Sequence, residues 1–124
     1  MPGVRRLAST WLPPLVWLAV IFTFSTRHGG GHLGTGEIVL RKLAHVTEYL
    51  ILTLLLLRAL WRSGLARALP AAAVAALAYA CSDEWHQSFV PGRTATPRDV
   101  AIDGIGIALA ALAATRTRLR ALAA

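Results

Sequence analysis

At 124 residues the chain has room for one small domain, and 56% of those residues are hydrophobic. A soluble domain of that length has too much surface to hide such a composition, so lipid is the expected solvent. The formal net charge of +7 comes without a nucleic-acid recognition motif, and the lone Cys81, read as a packing residue, excludes an intrachain disulfide.

Four apolar stretches predict an all-α membrane protein in which four transmembrane helices pack as a small bundle, one domain over residues 1–124. The spans are about 11–25, 43–61, 65–82 and 100–115. The first follows Arg5 and Arg6 as a secretory leader would, but Phe24-Ser25-Thr26-Arg27 offers no small-x-small cleavage site, so it is expected to be retained. Pro13 and Pro14 are read as first-turn residues of that span, and Pro70 as a first-turn residue of the third, where a missing backbone donor does little harm. The last span, about 16 residues at roughly 1.5 Å each, reaches only about 24 Å and is the shortest. Trp11, Trp17 and Trp61 read as interface anchors, and Trp85 as an anchor or a ring lining a polar site.

Charge fixes an expected orientation. Arg5, Arg6, Arg58, Arg62, Arg67, Arg116, Arg118 and Arg120 fall on one side of a four-crossing chain, which the positive-inside rule makes cytoplasmic, together with both termini. The acids Glu37, Glu48, Asp83, Glu84, Asp99 and Asp103 fall in the opposite connections or the adjoining helix halves.

That opposite side gathers the residues that carry chemistry. Lys42, His45 and Tyr49 recur at i, i+3, i+7 and share one stripe of the second helix, with Glu48 one turn beyond His45. Asp83, His86 and Gln87, beside Glu84, repeat the pattern where the third helix runs past Ser82. Asp99 and Asp103 lie one turn apart at the start of the fourth, and Arg93 and Arg98 in the connection can neutralise carboxylates. Ionisable groups at a bilayer cost several kcal/mol unless paired or functional, so these residues should form one cluster at the outer face.

Three segments in this order carry a family resemblance: Ile21-Phe22-Thr23-Phe24-Ser25, then Lys42-Leu43-Ala44-His45-Val46-Thr47-Glu48-Tyr49, then Asp83-Glu84-Trp85-His86-Gln87 with Val90-Pro91-Gly92-Arg93 and Asp99. With them the chain resembles the VanZ-like membrane proteins, named after an accessory protein of glycopeptide resistance. The resemblance implies a multi-pass protein of the bacterial cell (plasma) membrane and, for some members, tolerance of teicoplanin; it implies no mechanism. Asp103 stands where the family pattern usually has Asn, so the added charge must be protonated or paired with Lys42, Arg93 or Arg98. Ala110 stands where a second glycine after Gly106 is common.

Several readings of the cluster follow. Its charges can simply fasten helices together. As a site, Lys42, His45, Glu48, Tyr49, Asp83, Glu84, His86, Gln87, Arg93, Asp99 and Asp103 would line an outward polar pocket for a polar or anionic head group. That head group would belong to a membrane lipid, a lipid-linked envelope precursor or a small-molecule ligand, with Arg93 and Lys42 on phosphate or carboxylate. As an enzyme, His86 oriented by Asp83 or Glu84, or His45, would move protons. The two i, i+3 pairs His45–Glu48 and Asp83–His86 also allow a metal between helices, though neighbouring Lys42 and Arg93 favour an anion. Ser82 and Ser88 lack the sharp strand-to-helix turn of an exposed nucleophile. Nothing in the residues names a cofactor.

Overall fold

A computed structural model describes residues 2–26, 34–92 and 96–123, with side chains described as far as residue 118. Four helices make up this part: α1 Pro2–Ser25, α2 Thr35–Arg62, α3 Ala68–Gln87 and α4 Pro97–Ala123. Three of them, α1, α2 and residues 97–118 of α4, are long and apolar enough to cross a membrane. The apolar part of α3 stops where Ser82, Asp83 and Glu84 enter; Ala68 to Cys81 reaches only about 21 Å. The expected ranking is thus reversed, since α4 has 27 residues and is not the short helix. Hydrophobicity marked the greasy centre of α4 and missed the polar turns that extend it at both ends.

Local chemistry sets the boundaries. Ser63 caps α2, Gly64 adopts φ +86°, its N–H bonds to the Trp61 carbonyl, and the Leu65 N–H reaches back to Leu60 at 3.1 Å. This is a Schellman closure, in which the left-handed residue is glycine because a Cβ is unfavourable there. At the other connection Thr96-Pro97-Arg98-Asp99 opens α4. The Asp99 carboxylate accepts from the Thr96 N–H at 3.3 Å and from its hydroxyl at 3.1 Å, with Pro97 at the first helical position.

Pro13 and Pro14 lie inside α1, which starts at Pro2 and not at Trp11. Proline at 13 removes the N–H that would bond the Ser9 carbonyl one turn earlier. The guanidinium of Arg58 on α2 donates to that carbonyl at 3.2 Å, so a neighbouring helix supplies the lost donor.

The helix order places α2 in the middle: it packs against α1, α3 and α4, whereas α1 and α4 do not meet among the described residues. The core is Ile21, Tyr49, Leu52, Ala76, Ala80 and Ile107. On α3 the buried residues Ala68, Ala72, Ala76 and Ala80 recur every fourth position, a small-residue stripe that lets backbones approach. Gly106 does the same on α4, where a Cβ would overlap the Val46 carbonyl of α2. Large apolar side chains point outward, among them Leu12, Leu15, Leu40, Val74 and Leu112, as lipid-facing helices require. Cys81 is exposed and does not pack in the core.

Candidate functional site

The alanine stripe of α3 ends in ionisable residues that keep its helical phase. Asp83, Glu84 and Gln87 are buried like the alanines before them, so the turn that interrupts the apolar helix projects into the bundle. Asp83 Oδ2 accepts from the Tyr49 hydroxyl of α2 and from the Gln87 amide, each at 3.3 Å. Tyr49 is fully buried at the centre of the core.

One turn earlier on α2, His45 Nδ1 meets Asp103 Oδ1 of α4 at 2.9 Å. The close approach at Gly106, one turn beyond Asp103, brings the two helices within reach. The Asp103 carboxylate is therefore paired with His45 and not with Lys42 or Arg98. Glu84 Oε1 accepts from the Thr96 N–H at 2.7 Å, which ties the end of α3 to the cap of α4. Asp103 also lies close enough to Asp83 and Asp99 to feel their charges, and Glu84 to feel Asp99, Asp103 and His45.

Of the residues singled out in the sequence, His45, Tyr49, Asp83, Glu84, Gln87, Asp99 and Asp103 thus form one cluster where α2, α3 and α4 meet. Asp99 enters it chiefly as the helix cap. His86 is half-buried on the neighbouring face of α3, its ring stacked on Phe22 of α1 at 4.8 Å between centroids. Lys42 and Arg98 are exposed and form no ion pair among the described residues. Glu48 is half-buried, and its backbone carbonyl accepts from the Trp17 indole at 2.9 Å. Trp17 is therefore a clasp between α1 and α2 and not only an interface anchor. Arg93 lies outside the described residues.

The helical metal arrangement does not form: among the described residues no three His, Cys, Asp or Glu side chains are grouped to hold an ion. His45 is turned to Asp103 and His86 to Phe22, and the two expected pairs do not face each other. Two apolar depressions of about 370 and 320 Å³ lie on α1, one lined by Leu12, Pro13 and Trp17, the other by Ala19, Val20 and Phe24; no cluster residue borders either.

What distinguishes the cluster is its unmet hydrogen bonding. Asp83 Oδ1, Glu84 Oε2, His86 Nε2 and Asp103 Oδ2 are buried and have no partner among the described residues. A buried polar atom without a partner costs about 1–3 kcal/mol, and more when charged. Ser25 Oγ at the end of α1 shares this state. The cost of charge in lipid points to the acids and histidines; Phe22 and Gly106 enter only as parts of the family resemblance, with no contact assigned to them, and Thr96 is missed although the Thr-Pro-x-Asp opening of a helix is a readable signal.

No curated protein and no solved structure matches the chain. The VanZ/LLP1 family does, over residues 6–119, a span that takes in α2 and α3, all but the outermost residues of α1 and α4, and every residue of the cluster. The chain belongs to the VanZ/LLP1 family.

Proposed function

We propose that the chain is a multi-pass protein of the bacterial plasma membrane, with all four helices crossing, both termini in the cytoplasm, and the α2–α3–α4 cluster at the outer face. There the cluster takes up the polar head group of an envelope lipid or lipid-linked precursor, and contributes in this way to tolerance of teicoplanin-type antibiotics. One observation carries the reading: buried polar atoms of Asp83, Glu84, His86 and Asp103 have no partner among the described residues of an otherwise apolar bundle. Helix fastening alone accounts for the satisfied contacts, such as His45 with Asp103 and Tyr49 with Asp83. It does not account for acceptors left empty beside them, which a bound head group would fill.

A second reading has its own support. A carboxylate that holds an imidazole by Nδ1, as Asp103 holds His45, is the device by which a general base is oriented. An enzyme acting on an envelope lipid would use it. The two readings part on His45→Ala: an enzyme keeps lipid affinity and loses turnover, whereas a binder loses affinity alone.

The test is to purify the wild type and Asp83→Asn in mild detergent and to identify by native mass spectrometry the lipids that remain bound. A lipid held by the wild type and lost from a folded Asp83→Asn supports the reading. An identical lipid complement in the two proteins, with unchanged teicoplanin tolerance of the cells, overturns it.

A further inference from the structure

At the other end of the bundle the imbalance of charge is reversed. All six acids of the chain lie in the first half of α2, the end of α3 or the start of α4, and on α2 the nearest of them to Arg58 is Glu48, about 15 Å along the helix. The bond from Arg58 to the Ser9 carbonyl fixes the register of the α1–α2 seam, and the bond from the Trp17 indole to the Glu48 carbonyl shows that the two helices run antiparallel. One turn further toward this end, Arg5 on α1 and Arg62 on α2 come level with each other on the stripes of Ser9 and Arg58. Both are exposed, and neither forms an ion pair among the described residues. Three guanidinium groups along one seam repel one another unless an anion lies between them.

Beside the seam there is room for an apolar chain. Between Ala8, which has only a methyl group, and Trp17, whose indole is turned to α2, a depression of about 370 Å³ runs along α1 over Ser9, Leu12, Pro13 and Val16. From Ala8 to Trp17 the helix rises about 14 Å, close to the depth of one leaflet of a hydrocarbon core about 30 Å thick. The depression borders Ser9, the residue that Arg58 holds, so the charged and the apolar parts adjoin.

We propose that this end of the α1–α2 seam holds an anionic phospholipid, its phosphodiester bridging Arg5 and Arg62 beside Arg58 and one acyl chain lying in the depression of α1. Arginine presents paired donors that match two phosphate oxygens, and Arg58 spends only one of its five N–H groups on Ser9. The site lies about 20 Å along α2 from His45, so it is separate from the cluster and stands without the head-group reading above.

The experiment titrates purified protein in detergent with long-chain phosphatidylglycerol, with phosphatidylcholine of the same chains and with inorganic phosphate, followed by native mass spectrometry and thermal melting. Phosphatidylglycerol should bind about tenfold more tightly than the choline lipid. Arg5→Gln and Arg62→Gln alter exposed side chains, and each should weaken that binding about fivefold and flatten its dependence on salt. Ala8→Trp, which fills one end of the depression, should weaken it with the salt dependence unchanged. Asp83→Asn should bind phosphatidylglycerol as the wild type does. Equal binding of the two lipids would overturn the anionic lipid, and stabilisation by inorganic phosphate equal to that by phosphatidylglycerol would overturn the lipid as the source of the phosphate. Wild-type affinity in both arginine variants would overturn the seam as the site, and wild-type affinity in Ala8→Trp the seat of the acyl chain. A loss in folded Asp83→Asn as large as in the arginine variants would place the lipid at the cluster and overturn a second site.

Discussion

Gly106 and Gly104 are two positions apart on α4 and make opposite demands. A Cβ at Gly106 would overlap the Val46 carbonyl and stand 3.0 Å from the Leu50 amide, both rigid backbone, whereas a Cβ at Gly104 meets nothing within 4 Å. Gly106→Ala must push α4 away from α2, which strains the His45–Asp103 contact one turn off; a loss of about 1–3 kcal/mol is expected from such overpacking. Gly104→Ala only trades a poor helix former for a good one and should be neutral or stabilising by up to about 1 kcal/mol. Thermal melting of the two variants in the same detergent checks the contrast, and equal destabilisation would show that close approach at Gly106 is not what holds the pair. The same scale explains what could be read from sequence. His45, Asp83 and Glu84 are legible because ionisable groups inside an apolar helix are costly, and Tyr49 and Gln87 because they lie one turn from His45 and Asp83 on the same stripe. Which partner each would choose is not. Asp103 could have met Lys42 or Arg98, and only the interhelical distance permitted by Gly106 selects His45.

Among the elements, α1 is the one whose sequence misleads most. Two prolines in succession read as a helix start, yet α1 runs through them, and Arg58 of α2 donates to the Ser9 carbonyl that Pro13 leaves open. Periodicity within one segment cannot reveal a donor that comes from another. The contact is testable by coupling: Arg58→Ala should cost about 0.5–1.5 kcal/mol in the wild type, one hydrogen bond, and much less in a Pro13→Ala background, where the helix satisfies Ser9 itself. Additive effects would show that Arg58 stabilises by some other route. Element α4 was underestimated for a related reason. Its cap Thr96 and its basic end from Arg116 onward are polar and so invisible to a search for greasy runs, yet they add turns at both ends. Thr96→Ala removes the hydroxyl from Asp99 but keeps the backbone N–H that serves Glu84. A loss of about 1 kcal/mol, typical of a helix cap, is expected in melting experiments, with lipid retention unchanged.

At the scale of the whole molecule, the arrangement of charge has to agree with the arrangement of helices. The short α2–α3 turn at Ser63–Arg67 and the Arg58–Ser9 contact put the start of α1, the end of α2 and the start of α3 at one end of the bundle, which therefore collects Arg5, Arg6, Arg58, Arg62 and Arg67. The cluster of Asp83, Glu84, Asp99 and Asp103 lies toward the opposite end, so the segregation seen along the sequence is also a segregation in space. The count of crossings turns on α3. Its 20 residues make about 30 Å, enough to span, but the last turns are polar, and it can cross only if the other helices shield Asp83, Glu84 and Gln87 from lipid. They are buried within the bundle, which meets that condition. If α3 crosses and the basic end is cytoplasmic, Gly34 before α2 faces outward and Leu65 after α2 faces the cytoplasm. Both are exposed. With Cys81→Ala removing the native thiol, Gly34→Cys should react with a membrane-impermeant maleimide on intact cells, and Leu65→Cys only after the cells are opened. A cysteine replacing exposed Thr96 should then behave like Gly34→Cys, because α3 has carried the chain back across. Labelling of the Thr96 site only in opened cells, with Gly34→Cys labelled from outside, would overturn both the crossing of α3 and the packing that sets the start of α4 beside the first half of α2.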